Sequence, residues 1–156
     1  KPISLWELLL GKFIGIFFLV LCSLFGSFIY VYAILQLKLE LDIFDWGAFW
    51  GSFIGLVFLS SVFISITLLS SCLFKNQVIA FLAAVLFCFL HYYGWSELSL
   101  YFSDNTLYGF VNSIGIRSHY NKLSKGIIES KDLVYFLGQL FLFLYIAIIQ
   151  LKKIKQ

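Results

Sequence analysis

The sequence predicts an all-α, polytopic membrane protein with four transmembrane helices and short amphipathic helices on the outer side. Composition is the first observation. Of 156 residues, 62% are hydrophobic, 21% aromatic and only 12% charged, against a charged share of about 25% in soluble domains. The second is run length: four apolar stretches approach or exceed the roughly 20 residues that a helix needs to cross a bilayer. The third is that lysines gather at one set of run ends and acids at the other. One proline and several long apolar runs exclude a disordered chain.

The first span is Phe13–Leu35, 23 residues without a charge, or about 35 Å of helix. It follows a lead-in over residues 1–12 that carries Lys1, Trp6, Glu7 and Lys12. This run is too long and too aromatic for a secretory signal. The second span, Gly47–Phe74, has 28 residues; at about 42 Å it must tilt or protrude. The third, Gln77–Tyr93, is the shortest, with Lys75 snorkelling at one end and aromatic rings at the other. The fourth, Leu133–Leu151, is closed by Lys152, Lys153 and Lys155.

Charge counting sets the orientation. With Lys1 inside, Lys1, Lys12, Lys75, Lys152, Lys153 and Lys155 are cytoplasmic against Glu7 alone. The outer loops then hold Lys38, Arg117, Lys122, Lys125 and Lys131 against seven acids. The balance is +5 inside and −2 outside, the sense of the positive-inside bias. Both ends of the chain are thus expected in the cytoplasm. Trp46, Trp50, Tyr92, Tyr93 and Trp95 form an outer aromatic belt, and Trp6 marks the inner interface.

Phe74–Gln77 is short enough to be a tight inner turn. The outer segment 95–131 is longer and only moderately polar. Asp104 is placed to cap a helix in which Leu107, Phe110, Val111 and Ile114 share a face. Ser118 is placed to start a second, with Tyr120, Leu123 and Ile127 in register and Gly126 near its end. Ser130 and Asp132 are placed to cap the last span. Both short helices are expected to lie on, or dip into, the outer leaflet.

Gly11 and Gly15, and likewise Gly47, Gly51 and Gly55, stand four residues apart. That interval lets helices approach closely, within the chain or between subunits. Ser60, Thr67 and Ser71 fall nearly in line on the second span, where they either line a path or bond their own backbone. His91 is the one ionisable imidazole, carboxylate or amine inside a span, read as a neutral interfacial residue, and His119 is isolated in the outer segment. Cys22, Cys72 and Cys88 are an odd set without metal-ligand spacing and read as free thiols.

No span holds an Asp, Glu, Lys or Arg, such as ion-driven carriers use. No HExxH motif, phosphate-binding loop or paired ligands occur, so no catalytic residue, cofactor or metal is assigned and the chain is not read as an enzyme. A net charge of +3, dispersed along the sequence, gives no nucleic-acid surface. Energy for any transport must come from a partner. Lys in place of Met at position 1, with no Met elsewhere, reads as a fragment with further protein upstream.

Three stretches resemble one family. Residues 1–12 resemble the lead-in to a spanning helix of ABC-2 type transporter permeases. Residues 74–81 resemble that family's inner turn between its fourth and fifth helices. Residues 118–136 are similar to the corresponding segment of the gliding-motility-associated permease subunit GldF and its relatives. The resemblance runs through essentially all 156 residues and implies one permease domain holding the last four of six helices. It implies a bacterial inner-membrane exporter subunit that couples to a separate ABC ATPase through Lys1, Trp6 and Glu7. A second permease copy or a paralogue would complete the path, and the outer helices would close it. The runner-up is a membrane scaffold of an envelope complex that transports nothing.

Overall fold

The computed structural model describes residues 4–36 and 45–155. Among these the chain is helical with no strand: α1 (Leu5–Gly26), α2 (Phe28–Gln36), α3 (Trp46–Leu73), α4 (Gln77–Phe89), a π-helical turn (Leu90–Gly94), α5 (Trp95–Ser99), α6 (Asn105–Ile114), α7 (Ile116–Leu123) and α8 (Ser130–Lys155). Four helical stretches are long and apolar enough to cross a membrane: Leu5–Gln36, Trp46–Leu73, Gln77–Ser99 and Ser130–Lys153. The protein is an all-α polytopic membrane protein.

The first stretch starts earlier than its uncharged run. Ser4 and Glu7 form a reciprocal capping box, Glu7 N–H donating to Ser4 Oγ at 3.2 Å and Ser4 N–H to Glu7 Oε2 at 2.9 Å, so two otherwise orphaned donors are satisfied at Leu5. The lead-in is therefore the first turn of the span. Its continuity breaks at Ser27, whose N–H and Oγ both return to the Leu24 carbonyl. The third stretch passes beyond Tyr93 because the π turn carries α4 into α5 without leaving the helix.

α3 is the central helix. Of its most apolar window 44% is buried, against 6% for both the α1–α2 and the α4–α5 stretches. Two apolar clusters lie along it. The first joins Leu9 of α1 to Ile64, Leu68 and Leu69 of α3 and to Leu144, Ala147 and Ile148 of α8. The second joins Leu59, Val62 and Ile66 of α3 to Ile116 and Leu123 of α7 and to Phe136 of α8. In a bilayer, lipid is as apolar as these side chains, so close packing holds the helices rather than escape from water. Beside α3, Phe28 contacts the rings of Phe49, Trp50 and Phe53, at centroid distances of 5.4, 6.0 and 5.1 Å. Ser70 donates to the Ala80 carbonyl at 2.8 Å and ties α3 to α4.

Candidate functional site

The end of the bundle opposite the α3–α4 turn is covered by α6 and α7. Asp104 caps α6 by accepting from Thr106 N–H at 3.0 Å. Gly115 separates α6 from α7. Ser118 lies inside α7 and does not start it: its hydroxyl reaches back to the carbonyls of Asn112, at 2.9 Å, and Gly115, at 2.8 Å. The chain leaves α7 through a left-handed residue, Gly126, at φ +79°. Ile127 N–H bonds the Lys122 carbonyl and Gly126 N–H bonds the Leu123 carbonyl, the paired closure that a glycine in this conformation permits.

That closing turn seats on the glycine face of α3. A Cβ on Gly51 would meet the Leu123 carbonyl oxygen and lie 2.7 Å from Gly126 Cα; one on Gly55 would lie 3.2 Å from Leu123 Cβ and from the Tyr120 ring. Ser52 Oγ donates to the Ser124 carbonyl at 3.1 Å. Burial pushes the Tyr120 hydroxyl above its usual range. Among the described residues a Cβ on Gly47 meets its neighbour Asp45, at 3.2 Å, and no other atom within 4 Å, although the Gly47 backbone lies against Gly126. Gly11 and Gly15 differ: a Cβ there meets nothing within 4 Å among the described residues.

A polar cluster fastens the same segment to α8. His119 Nδ1 lies 2.5 Å from Asp132 Oδ1, and His119 Nε2 lies 2.8 Å from the Ser113 carbonyl. The Asp132 side chain is fully buried, and that of His119 is 13% exposed. Tyr135 stacks on the imidazole with centroids 4.0 Å apart and donates its hydroxyl to the Ile114 carbonyl. Instead of completing a local cap, the Asp132 carboxylate thus turns toward α7. At the rim Arg117 meets Glu97 at 3.4 Å, while Lys122 and Lys131 approach Glu129 at 3.7 and 2.6 Å.

The other sequence-selected residues lie elsewhere. Lys1 and Lys38 are outside the described residues. Trp6 is 45% exposed, and Glu7 is exposed while its carboxylate caps α1. Ser60 Oγ donates to the Val57 carbonyl at 2.9 Å and Thr67 Oγ1 to the Phe63 carbonyl at 2.8 Å, which is the backbone-satisfying behaviour of hydroxyls inside a helix. Thr67 and Ser71 are exposed. A cleft of about 480 Å³ opens between α4–α5 and α8 over the face of α3, lined by Ile66, Leu69, Leu90, His91, Leu98 and Phe143 among others. Ser60, Thr67 and Ser71 are not in its lining. His91 packs edge-on against Phe143, with centroids 5.3 Å apart.

Against this geometry, the model of the family described as "ABC-2 family transporter protein" matches residues 1–153. The chain belongs to the ABC-2 transporter family. No curated protein and no solved structure matches it. As an ABC-2 chain with four membrane-crossing helices, it is a multi-pass permease component of an ABC transporter, and membrane domains of this family normally work with an ABC ATPase. The His119–Asp132 pair of this ABC-2 chain escaped sequence reasoning, since the two residues stand 13 positions apart and each has a local explanation. The usable signal was their coexistence in a short segment, one imidazole and one carboxylate at the start of an apolar helix.

Proposed function

We propose that this chain is the membrane-spanning subunit of an ATP-driven exporter, in which a separate ATPase subunit drives the spans between inward-open and outward-open arrangements. The match to the ABC-2 family over residues 1–153 carries this reading. In it, the lysine-bearing ends are cytoplasmic, the membrane is a bacterial inner membrane, and Lys1, Trp6 and Glu7 lie where the ATPase pushes. The exposed Trp6 ring and the helical continuity from Leu5 onward support that choice. A push on the first turn is transmitted along α1 to Leu9, which is packed into α3 and α8.

A second permease, identical or paralogous, completes the path. Gly11 and Gly15, which meet nothing within 4 Å among the described residues, are assigned to that contact, and Gly47, Gly51 and Gly55 to packing within the chain. Of the aligned hydroxyls, Thr67 and Ser71 are exposed and available to a path, with Ser60 at its edge. The gliding-motility branch of the family is the finer proposal and rests on the likeness of residues 118–136.

The test is purification of the full-length protein in mild detergent with whatever accompanies it. A stoichiometric subunit with a phosphate-binding loop, whose ATP hydrolysis responds to the permease, is the expected result. Replacing Trp6 and Glu7 together by alanine should weaken that response, and an unchanged response removes them from the coupling surface. If no ATPase is recovered even after crosslinking in the native membrane, the scaffold reading replaces transport.

A further inference from the structure

Of the side chains that line the cleft between α4–α5 and α8, only those of His91 and Trp95 carry a nitrogen; the others are hydrocarbon. A water needs two to four polar partners to stay in such a space, so the lining does not suit it. His91 Nε2 is buried and has no hydrogen-bond partner among the described residues, although the residue as a whole is only half-buried. A nitrogen left in that state inside a membrane is costly, because no water can reach it there. It belongs to the π-helical turn Leu90–Gly94, a rare geometry that collects at functional sites. A Cβ on Gly94, in the same turn, would meet nothing within 4 Å among the described residues. The turn therefore opens the cleft instead of filling it.

The dimensions narrow the choice of occupant. Phe87 and Leu98 both line the cleft and stand eleven positions apart on one stretch, about 16 Å along its axis. A volume of about 480 Å³ over that length gives a mean section of roughly 30 Å². An α-helix, roughly 10 Å across, has more than twice that section and cannot enter. One extended hydrocarbon chain can. Leu73, Leu90 and Leu98 are 42, 51 and 51% exposed, so the cleft is open along its side, where a bilayer supplies lipid.

We propose that this cleft holds one acyl chain of a bilayer glycerophospholipid, whose ester carbonyl accepts a hydrogen bond from His91 Nε2. A neutral imidazole carrying its proton on Nε2 is a donor, and an ester carbonyl only accepts. A turn of the ring about its Cβ–Cγ bond presents that N–H to the cleft. The depth agrees, since Tyr92, Tyr93 and Trp95 beside His91 mark the level of the headgroups. The chain then lies against Leu69, Leu73 and Phe87, toward the α3–α4 turn. This site does not depend on the transport reading and would serve a scaffold equally.

The experiment uses the full-length protein in liposomes of phosphatidylethanolamine and phosphatidylglycerol. A trace of phosphatidylglycerol carries a photoactivatable diazirine within one acyl chain, and mass spectrometry locates the labels. Ile66, Leu69 and Leu90 should be labelled in clear excess over Val78, Phe81 and Leu82, which are more exposed but lie outside the cleft. An even distribution overturns the proposal, as does a cleft shielded from label because protein covers it. Gly94→Leu places a side chain in the open space and should suppress labelling of the cleft while the α4 face keeps its own; undiminished labelling overturns the site. Replacing the bulk lipids by ether-linked analogues, which lack the carbonyl, should raise cleft labelling by the ester probe about fivefold, the worth of one hydrogen bond. That rise should vanish in His91→Phe. No rise in the wild type overturns the role given to His91.

Discussion

Gly51 and Gly126 meet backbone to backbone, so that a methyl group built on Gly51 would lie 2.7 Å from Gly126 Cα. The atoms it would strike also include the Leu123 carbonyl oxygen, and none of these is a side chain that could turn away. Gly51→Ala must therefore lift the α7 turn off α3, at a cost of about 1–3 kcal/mol, as for other overpacked cores. Gly11→Ala adds a methyl that meets nothing within 4 Å among the described residues and should stay within about 0.5 kcal/mol in the isolated chain. Thermal unfolding of both variants in one detergent checks this, and equal losses would refute the seat.

Ser70 and Ser65 are both buried hydroxyls on α3, yet they do different things. Ser70 bridges to the Ala80 carbonyl of α4 at 2.8 Å, whereas Ser65 returns to Val62 of its own helix at 2.6 Å. Ser70→Ala should lose about 0.6 kcal/mol, the usual worth of a polar contact between membrane helices. Ser65→Ala removes only a back-bond, which if anything strains the helix, and should leave stability level or slightly raised. Unfolding in graded detergent mixtures gives the order, and a larger loss at Ser65 would count against the α3–α4 bridge.

The fold class was legible because membrane crossing depends on sums over long windows, which tolerate ignorance of any single contact. The site was less legible because it depends on who meets whom. Gly11 with Gly15 and Gly51 with Gly55 share one spacing, yet among the described residues only the second pair is closely packed, Gly51 against backbone and Gly55 against the Leu123 and Tyr120 side chains. Spacing says that close approach is permitted and leaves the partner unnamed. Asp132 looked like a first-turn acid, favourable at any helix start; only the fold of α7 brings His119 to it. Ser118 looked like a cap because a serine ahead of an apolar run usually is one. Gly115 displaced it by breaking α6 three residues earlier, which left the Ser118 hydroxyl to satisfy the carbonyls of Asn112 and Gly115.

Glu129 meets Lys122 and Lys131 at the rim of the segment between α7 and α8. Its contact with Lys131 is the leading cause that holds the carboxyl below its ordinary range, with Lys122 adding to it. A depressed carboxyl contributes stability that is present above its unfolded value, about 4.3, and is lost as pH falls through the folded value. The group is exposed, so salt screens the effect. Exchange of residues 124–129 at low salt should therefore quicken slightly below about pH 4, in wild type but not in Glu129→Gln. A response that survives the substitution would assign the acid sensitivity to another carboxyl.

α6 turns Leu107, Tyr108 and Phe110 outward, all exposed, with Phe110 at 66%, while Val111 and Asn112 are half-buried. An apolar stripe of this kind on a ten-residue helix at the end of a membrane bundle has one favourable surrounding, the boundary between headgroups and acyl chains. The rings then anchor the helix at headgroup depth. Spin labels at Phe110→Cys and Asn105→Cys, with the native cysteines replaced, distinguish the two sides in liposomes. The label at 110 should relax faster with oxygen, which concentrates in lipid. The label at 105, in the first turn capped by Asp104, should relax faster with a water-soluble nickel chelate. If both labels favour the chelate, α6 stands clear of the bilayer and its apolar stripe must be covered by protein, which moves the search to the second permease.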